Sequence, residues 1–215
     1  MVTKHTDNPS RAGSLSLVGD ALALDFANTS SGRGGPNRLD HLREPQHVIA
    51  WAEHVGAIDA ATAERARTRI LSGDSEFAGF LEAALSLREA IHRVVAAIAD
   101  RAPPPQEDLG TIKAACARAI ASSELSPGAG GFRWAWRTAP PGPQTILGPI
   151  ALSAAGLLRE GDLSRLKQCK GEHCGWLFFD MTKNNSRRWC DMAVCGNRQK
   201  SHRHRRRQAF TATET

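Results

Sequence analysis

The chain has 215 residues, 41% of them hydrophobic, and carries 28 Lys and Arg against 22 Asp and Glu for a net charge of +6. That is long enough for one large domain, or a medium domain plus a small module, with a real core. It excludes a helical membrane span, because no apolar run approaches the roughly 18 residues one needs, and the N-terminus has no apolar leader stretch, so the expected location is the cytoplasm.

Residues 1–13 are polar and aperiodic and read as a disordered tail. From Leu15 a short strand turns at Gly19 and Asp20, and the following Leu22 to Thr29 fits helix or strand equally well. Ser30 to Asn37 is a Gly- and Pro-rich loop. Pro45 starts a helix that Gly56 stops. Asp59 caps a second helix that ends near Gly73, and Ser75 is expected to cap a long third one reaching about Arg101. A fourth spans roughly 106 to 122, with Cys116 on its apolar side. Phe132 to Thr138 alternates as a strand that carries Trp134, and a further short strand is expected near Thr145 to Leu147. Pro149 then begins a helix to about Arg159.

The last quarter holds Cys169-x4-Cys174-x15-Cys190-x4-Cys195. Two close thiol pairs at that spacing can close a tetrahedral Zn²⁺ site, and four thiolates leave no position for water, so the metal is structural. About 40 residues cannot fold on apolar burial alone, and zinc supplies the staple. Trp176, Leu177, Phe178, Phe179 and Trp189 are the expected small core, with Asn184 to Ser186 turning between two strands and a helix after Cys195. Residues 165 to 207 contain twelve Lys and Arg against three acids, a net +9, which leaves −3 for the rest. Positive charge gathered on one module points to a polyanion. The candidate contacts are Arg187, Arg188, Asn197, Arg198, Lys200, Arg203, Arg205, Arg206 and Arg207. One of Arg187 and Arg188 is expected to point outward.

In the first part, Asp25, Asn28, Thr29 and Arg88, with Trp134 as a wall, are candidates for a small-ligand pocket. The competing assignment is a buried Asp25–Arg88 pair or a helix cap. No nucleophile elbow, His-Glu-x-x-His or phosphate loop is present, so catalysis has no positive support and the chain is not read as an enzyme.

Cys169-Lys-Gly-Glu-His-Cys174, Gly175-Trp-Leu-Phe-Phe-Asp180, Arg187-Arg-Trp-Cys190 and Cys195-Gly-Asn-Arg198 resemble the CGNR zinc-finger family. Ala23-Leu-Asp-Phe-Ala-Asn-Thr29 and Leu87-Arg-Glu-Ala-Ile91 resemble the ABATE domain that accompanies this finger. The resemblance implies a bacterial, stress-responsive transcription regulator whose finger binds DNA and whose N-terminal domain senses a ligand. One departure is Met181-Thr182 after Asp180, where relatives often carry a basic residue.

The expected fold is α+β: a mainly helical N-terminal domain with a small β element (14–162) and a treble-clef-like zinc finger (163–208), with tails at 1–13 and 209–215. The expected cofactor is one zinc. Expected partners are duplex DNA, a small-molecule effector and a second copy of the chain, and no membrane. An RNA-binding module, and an enzyme domain around Asp25, Asn28 and Arg88, remain as alternatives.

Overall fold

Pro45 at the first turn of α2 (Pro45–His54) and Asp59 ahead of α3 (Ala60–Leu71) start their helices as expected, the Asp59 carboxylate accepting from the Thr62 N–H at 2.7 Å. The structure is a computed structural model that describes residues 10–128, 130–136 and 140–201. Ahead of these helices lie α1 (Leu22–Ala27) and a two-residue antiparallel pair, β1 (Ser30–Ser31) with β2 (Leu39–Asp40). The ambiguous segment after Gly19 is therefore helix. After them come α4 (Phe80–Ala99), α5 (Gln106–Ala121), the hairpin β3 (Glu124–Gly128) with β4 (Gly131–Ala135), and α6 (Pro143–Glu160). The C-terminal module contributes β5 (Leu166–Gln168), β6 (Leu177–Phe179), a π-helical turn Met192–Gly196 and helical residues 197–201.

The helices pack around α4, which lies between α1 and α5, while α6 covers α5 and α1. Phe26 and Trp51 meet in the centre with rings 5.0 Å apart. This core is not confined to the helices. Leu166 and Leu177 belong to the same buried cluster as Trp51 and Ile91.

Four expectations are corrected. The long helix begins at Phe80, not after Ser75: Asp74 caps a short 3-10 turn, and Gly79 at φ +70° breaks the chain direction before α4. Residues 145–147 are helix, not strand, and Pro149 lies inside α6. An internal proline costs about 3 kcal/mol. Burying Ile146, Leu147 and Ile150 on that face returns more than this, at about 1.5–3 kcal/mol each. The segment 10–13 is tied down, with Ala12 buried and the Ser10 hydroxyl donating to the His41 carbonyl at 2.7 Å. Finally, Leu15 to Val18 pairs with no strand. The Cys116 thiol is half-buried, donates to the Ala151 carbonyl at 3.1 Å, and is pushed up by burial.

Candidate metal centre and its docking seam

β5 and β6 pair antiparallel from Leu166–Phe179 to Gln168–Leu177, so the first cysteine pair sits on the turn that joins them. This corrects the expected hairpin: its arms flank Cys169 and Cys174, not Asn184 to Ser186. The knuckle is closed by the Cys169 N–H donating to the Trp176 carbonyl at 2.8 Å and the Cys174 N–H donating to Gly171 at 3.0 Å. Gly171 packs close to the thiols: a Cβ there would come 3.2 Å from the Cys174 Cβ and would touch the Cys195 and Cys169 sulfurs at 3.4 and 3.5 Å. The second pair is set by the π-helical turn. Asp191 caps it, accepting from the Val194 N–H at 3.0 Å, which leaves Cys195 at the start of the terminal helix, where thiolate charge is favoured.

Cys169, Cys174, Cys190 and Cys195 bring their sulfurs within 4.8 Å of one another, with Cys174–Cys190 and Cys190–Cys195 both at 3.6 Å. Zn–S bonds of about 2.3 Å in a tetrahedron set sulfurs about 3.8 Å apart. The thiols thus fit a closed four-sulfur site. Without a cation the four cannot all ionise. Hydrogen bonds from Cys174 and Cys190 favour the Cys169 thiolate, holding it down to about 2. Its bond to Cys169 pushes Cys174 up to about 12, and Cys190 is driven higher still. A divalent ion removes that conflict. The cluster can coordinate one structural zinc, whose contribution is to hold the two knuckles together.

Around the metal cluster, β6 alternates its side chains. Phe178 turns to the thiols, with Val18, Trp176 and Trp189 packed beside it, while Leu177 and Phe179 turn into the helical core. Leu177 and Phe179 therefore do not form the separate finger core expected from the sequence. Polar contacts stitch the same seam. The Asn28 carboxamide, on the C-cap of α1, donates to the Leu177 carbonyl and accepts from the Leu177 N–H, both at 2.8 Å. Gly19 accepts from the Phe179 N–H at 2.9 Å, and the Trp176 indole donates to the Ser30 carbonyl at 3.2 Å. The Arg33 N–H donates to the Cys174 carbonyl at 3.2 Å, and the Arg33 side chain pairs with Glu89 of α4. Gly175, at φ +72°, rests on Arg33, where a Cβ would come within 2.8 Å of its own. The Gly175 carbonyl accepts from His92 Nε2 at 3.0 Å, and burial, followed by the nearby Arg33 charge, lowers His92 to about 4.

Asp180 is fully buried at the end of β6. Burial alone would raise its carboxyl. The Lys167 ammonium at 2.6 Å and the Thr182 and Arg187 N–H groups at 2.9 and 2.8 Å outweigh that and hold it well below the usual carboxylate range.

The expected pocket residues are dispersed. Asp25 accepts from the Val18 and Gly19 N–H groups at 2.9 and 2.8 Å, bracing the loop that carries Gly19 to β6. Burial raises its carboxyl despite those bonds. The Thr29 hydroxyl donates to Phe26. Arg88 is buried and forks onto both Asp40 oxygens at 2.6 Å, so no Asp25–Arg88 pair forms. Trp134 lies on the exposed β3–β4 hairpin beside Leu125. Trp136, beyond the hairpin's second strand, is half-buried, and its indole donates to the Ala119 carbonyl at 3.1 Å.

The cations divide as well. Arg187 turns inward: its guanidinium donates to the carbonyls of Val18 at 2.8 Å and Cys190 at 2.6 Å, pairs with Asp20, and lies 4.3 Å from the Phe178 ring centre. Its donors serve the seam and are not directed at solvent. Arg188 is exposed and sits over the Trp189 ring. Asn197, Arg198 and Lys200 are exposed on the helix that follows the cluster. Arg203, Arg205, Arg206 and Arg207 lie outside the described residues, as do His202 and His204.

Sequence reasoning missed His92 and Arg33. His92 had a signal: it follows Ile91 on the face of α4 that helical spacing assigns to the core.

Two family models match the chain. ABATE, described as "putative stress-induced transcription regulator", covers residues 20–161, and the CGNR zinc finger covers residues 165–208. These are regulator and zinc-finger families, not enzyme families. No curated protein matches the chain. Among the described residues no helix is long and apolar enough to cross a membrane.

Proposed function

We propose, for a chain that belongs to the ABATE family and ends in a CGNR zinc finger, that it is a cytoplasmic, zinc-dependent transcription regulator that grips duplex DNA. Residues 14–162 act as the sensing or self-associating part and 163–208 as the grip. What carries this reading is the placement of exposed cations directly after the metal cluster. The thiols fix the start of the terminal helix, and Asn197, Arg198 and Lys200 project from its first turns. Arg188 adds charge from the neighbouring segment, and the run from Arg203 to Arg207 follows in sequence. Zinc holds the helix and knuckles in one geometry so that these groups meet phosphates together and release counterions. In this role Arg187 acts on the finger's seating and not on DNA. The helical domain senses a small ligand or pairs with a second copy.

The test is fluorescence anisotropy of the zinc-loaded chain with a random-sequence duplex across salt. Binding whose log K falls steeply with log salt, by about 0.9 per phosphate contact, supports the grip. Tighter binding to structured RNA at equal salt would transfer the reading to RNA, and no binding at low salt would remove it.

A further inference from the structure

A cleft of about 510 Å³ opens where the finger meets the loop between β1 and β2. Its walls come from both parts of the chain. Arg11, Ser16 and Leu39 line it from the N-terminal side, and Trp176 and Arg198 from the finger. Neither Arg11 nor Arg198 has an acidic partner among the described residues, in contrast to Arg33, Arg88 and Arg187. Unpaired guanidiniums from two modules facing one apolar-walled space are the recognition chemistry of a small anion with an apolar body.

We infer that this cleft binds a small organic anion, a carboxylate or phosphate ester carrying an aromatic or aliphatic group, between Arg11 and Arg198. The inference rests on the reading of the chain as a ligand-responsive DNA-binding regulator and gives the sensing site a place. The site is not the one built from Asp25, Asn28, Thr29, Arg88 and Trp134, none of which lines the cleft. Asp191 and three of the thiols also line it. Asp191 uses one carboxylate oxygen to cap Val194. A zinc ion would offset two of the four thiolate charges, and the Arg11 and Arg198 guanidiniums set two positive charges against the remainder while offering the anion directed N–H donors. Arg198 also belongs to the proposed DNA grip, so an anion held in the cleft withdraws a phosphate contact and weakens DNA binding.

Isothermal titration of the zinc-loaded full chain with phenyl phosphate tests this, with inorganic phosphate as comparator. The expected result is saturable binding that weakens roughly tenfold in Arg11→Ala and again in Arg198→Ala, stays unchanged in Lys113→Ala, an exposed cation on α5, and falls roughly tenfold when the phenyl group is absent. Arg11 lies far from the metal in sequence, so Arg11→Ala remains informative if Arg198→Ala disturbs the finger. No binding up to about 10 mM, equal affinity for inorganic phosphate, or no effect of either arginine would overturn the inference. Duplex binding is measured separately without phenyl phosphate, so a failed DNA grip and a failed anion site give different results.

Discussion

The Asn28 carboxamide pairs with both backbone groups of Leu177, as a neighbouring strand would, across 149 residues of sequence. It completes the inner edge of β6, which β5 covers on the other side. Because both partners are buried, the amide is a seam between the finger and the helices and not a free ligand contact.

Asn28→Ala therefore leaves a buried N–H and C=O of Leu177 without partners and should destabilise the protein by about 2–4 kcal/mol. Asn28→Asp should cost at least as much, since a carboxylate cannot donate to the carbonyl. Urea denaturation measures the loss, and hydrogen exchange at the Leu177 amide should accelerate in step. A change within about 0.5 kcal/mol would return Asn28 to the candidates for ligand binding.

Replacing Cys190 with Ser should abolish the metal site and loosen the finger. Cys190 Sγ lies 3.6 Å from two other sulfurs, so no spare donor replaces it within the cluster. Zinc stoichiometry, measured by a chromogenic chelator after gel filtration, should fall from one per chain to near zero. A variant that keeps one tightly bound zinc would sink the four-thiolate site.

The seam should weaken as pH falls. His92 is held neutral, at about 4 against an ordinary value of about 6.5. Its contribution is fully present above about 6.5 and is lost progressively as pH falls toward 4, because the unfolded chain takes up the proton first. Linkage sets its size at up to about 3 kcal/mol. Melting temperature against pH should flatten over this interval in His92→Gln relative to the parent. Parallel curves would assign the acid sensitivity to the thiolates alone.

Arg187 and Arg188 should separate in two assays. Arg188→Ala should lower the slope of log K against log salt by about 0.9 and leave stability unchanged. Arg187→Ala should lower stability and leave the slope alone, because its guanidinium is spent on Val18, Cys190, Asp20 and Phe178. The opposite pattern would reverse their roles.

Arg88→Ala should cost about 1–3 kcal/mol, as the Asp40 carboxylate loses its fork but is about one-third exposed, so water replaces part of it. Arg88→Lys should recover only part, because an ammonium cannot reach both oxygens in parallel. Equal stability of the three proteins in urea would show the pair to be dispensable.

The helices and the thiol set were legible because each is local: caps, breakers and helical spacing lie within a few residues of what they specify. Asp25, Asn28 and Thr29 also stood out, as polar groups inside an apolar stretch, but their partners did not. Asn28 answers to Leu177 and Asp25 to a loop that meets Phe179, and nothing in single-sequence periodicity pairs such distant positions. β5 is three residues long, too short to show alternation, so sequence pattern alone points to the turn at Asn184 to Ser186 and not to the one at Cys169 to Cys174. Pro149 differs in kind: a proline is a local signal for a helix start, but the burial of its neighbours outweighs the local penalty and the helix runs through it.

The common core of Leu166, Leu177 and the helices has a consequence for synthesis. The groove that receives β6 is made by α1 and α4, which leave the ribosome before their occupant does. Until then the Asn28 amide and the apolar floor beneath it stand open. β6 thus closes a surface that earlier residues laid down, and a chain cut between α4 and β6 should meet the cell's quality control with that groove bare.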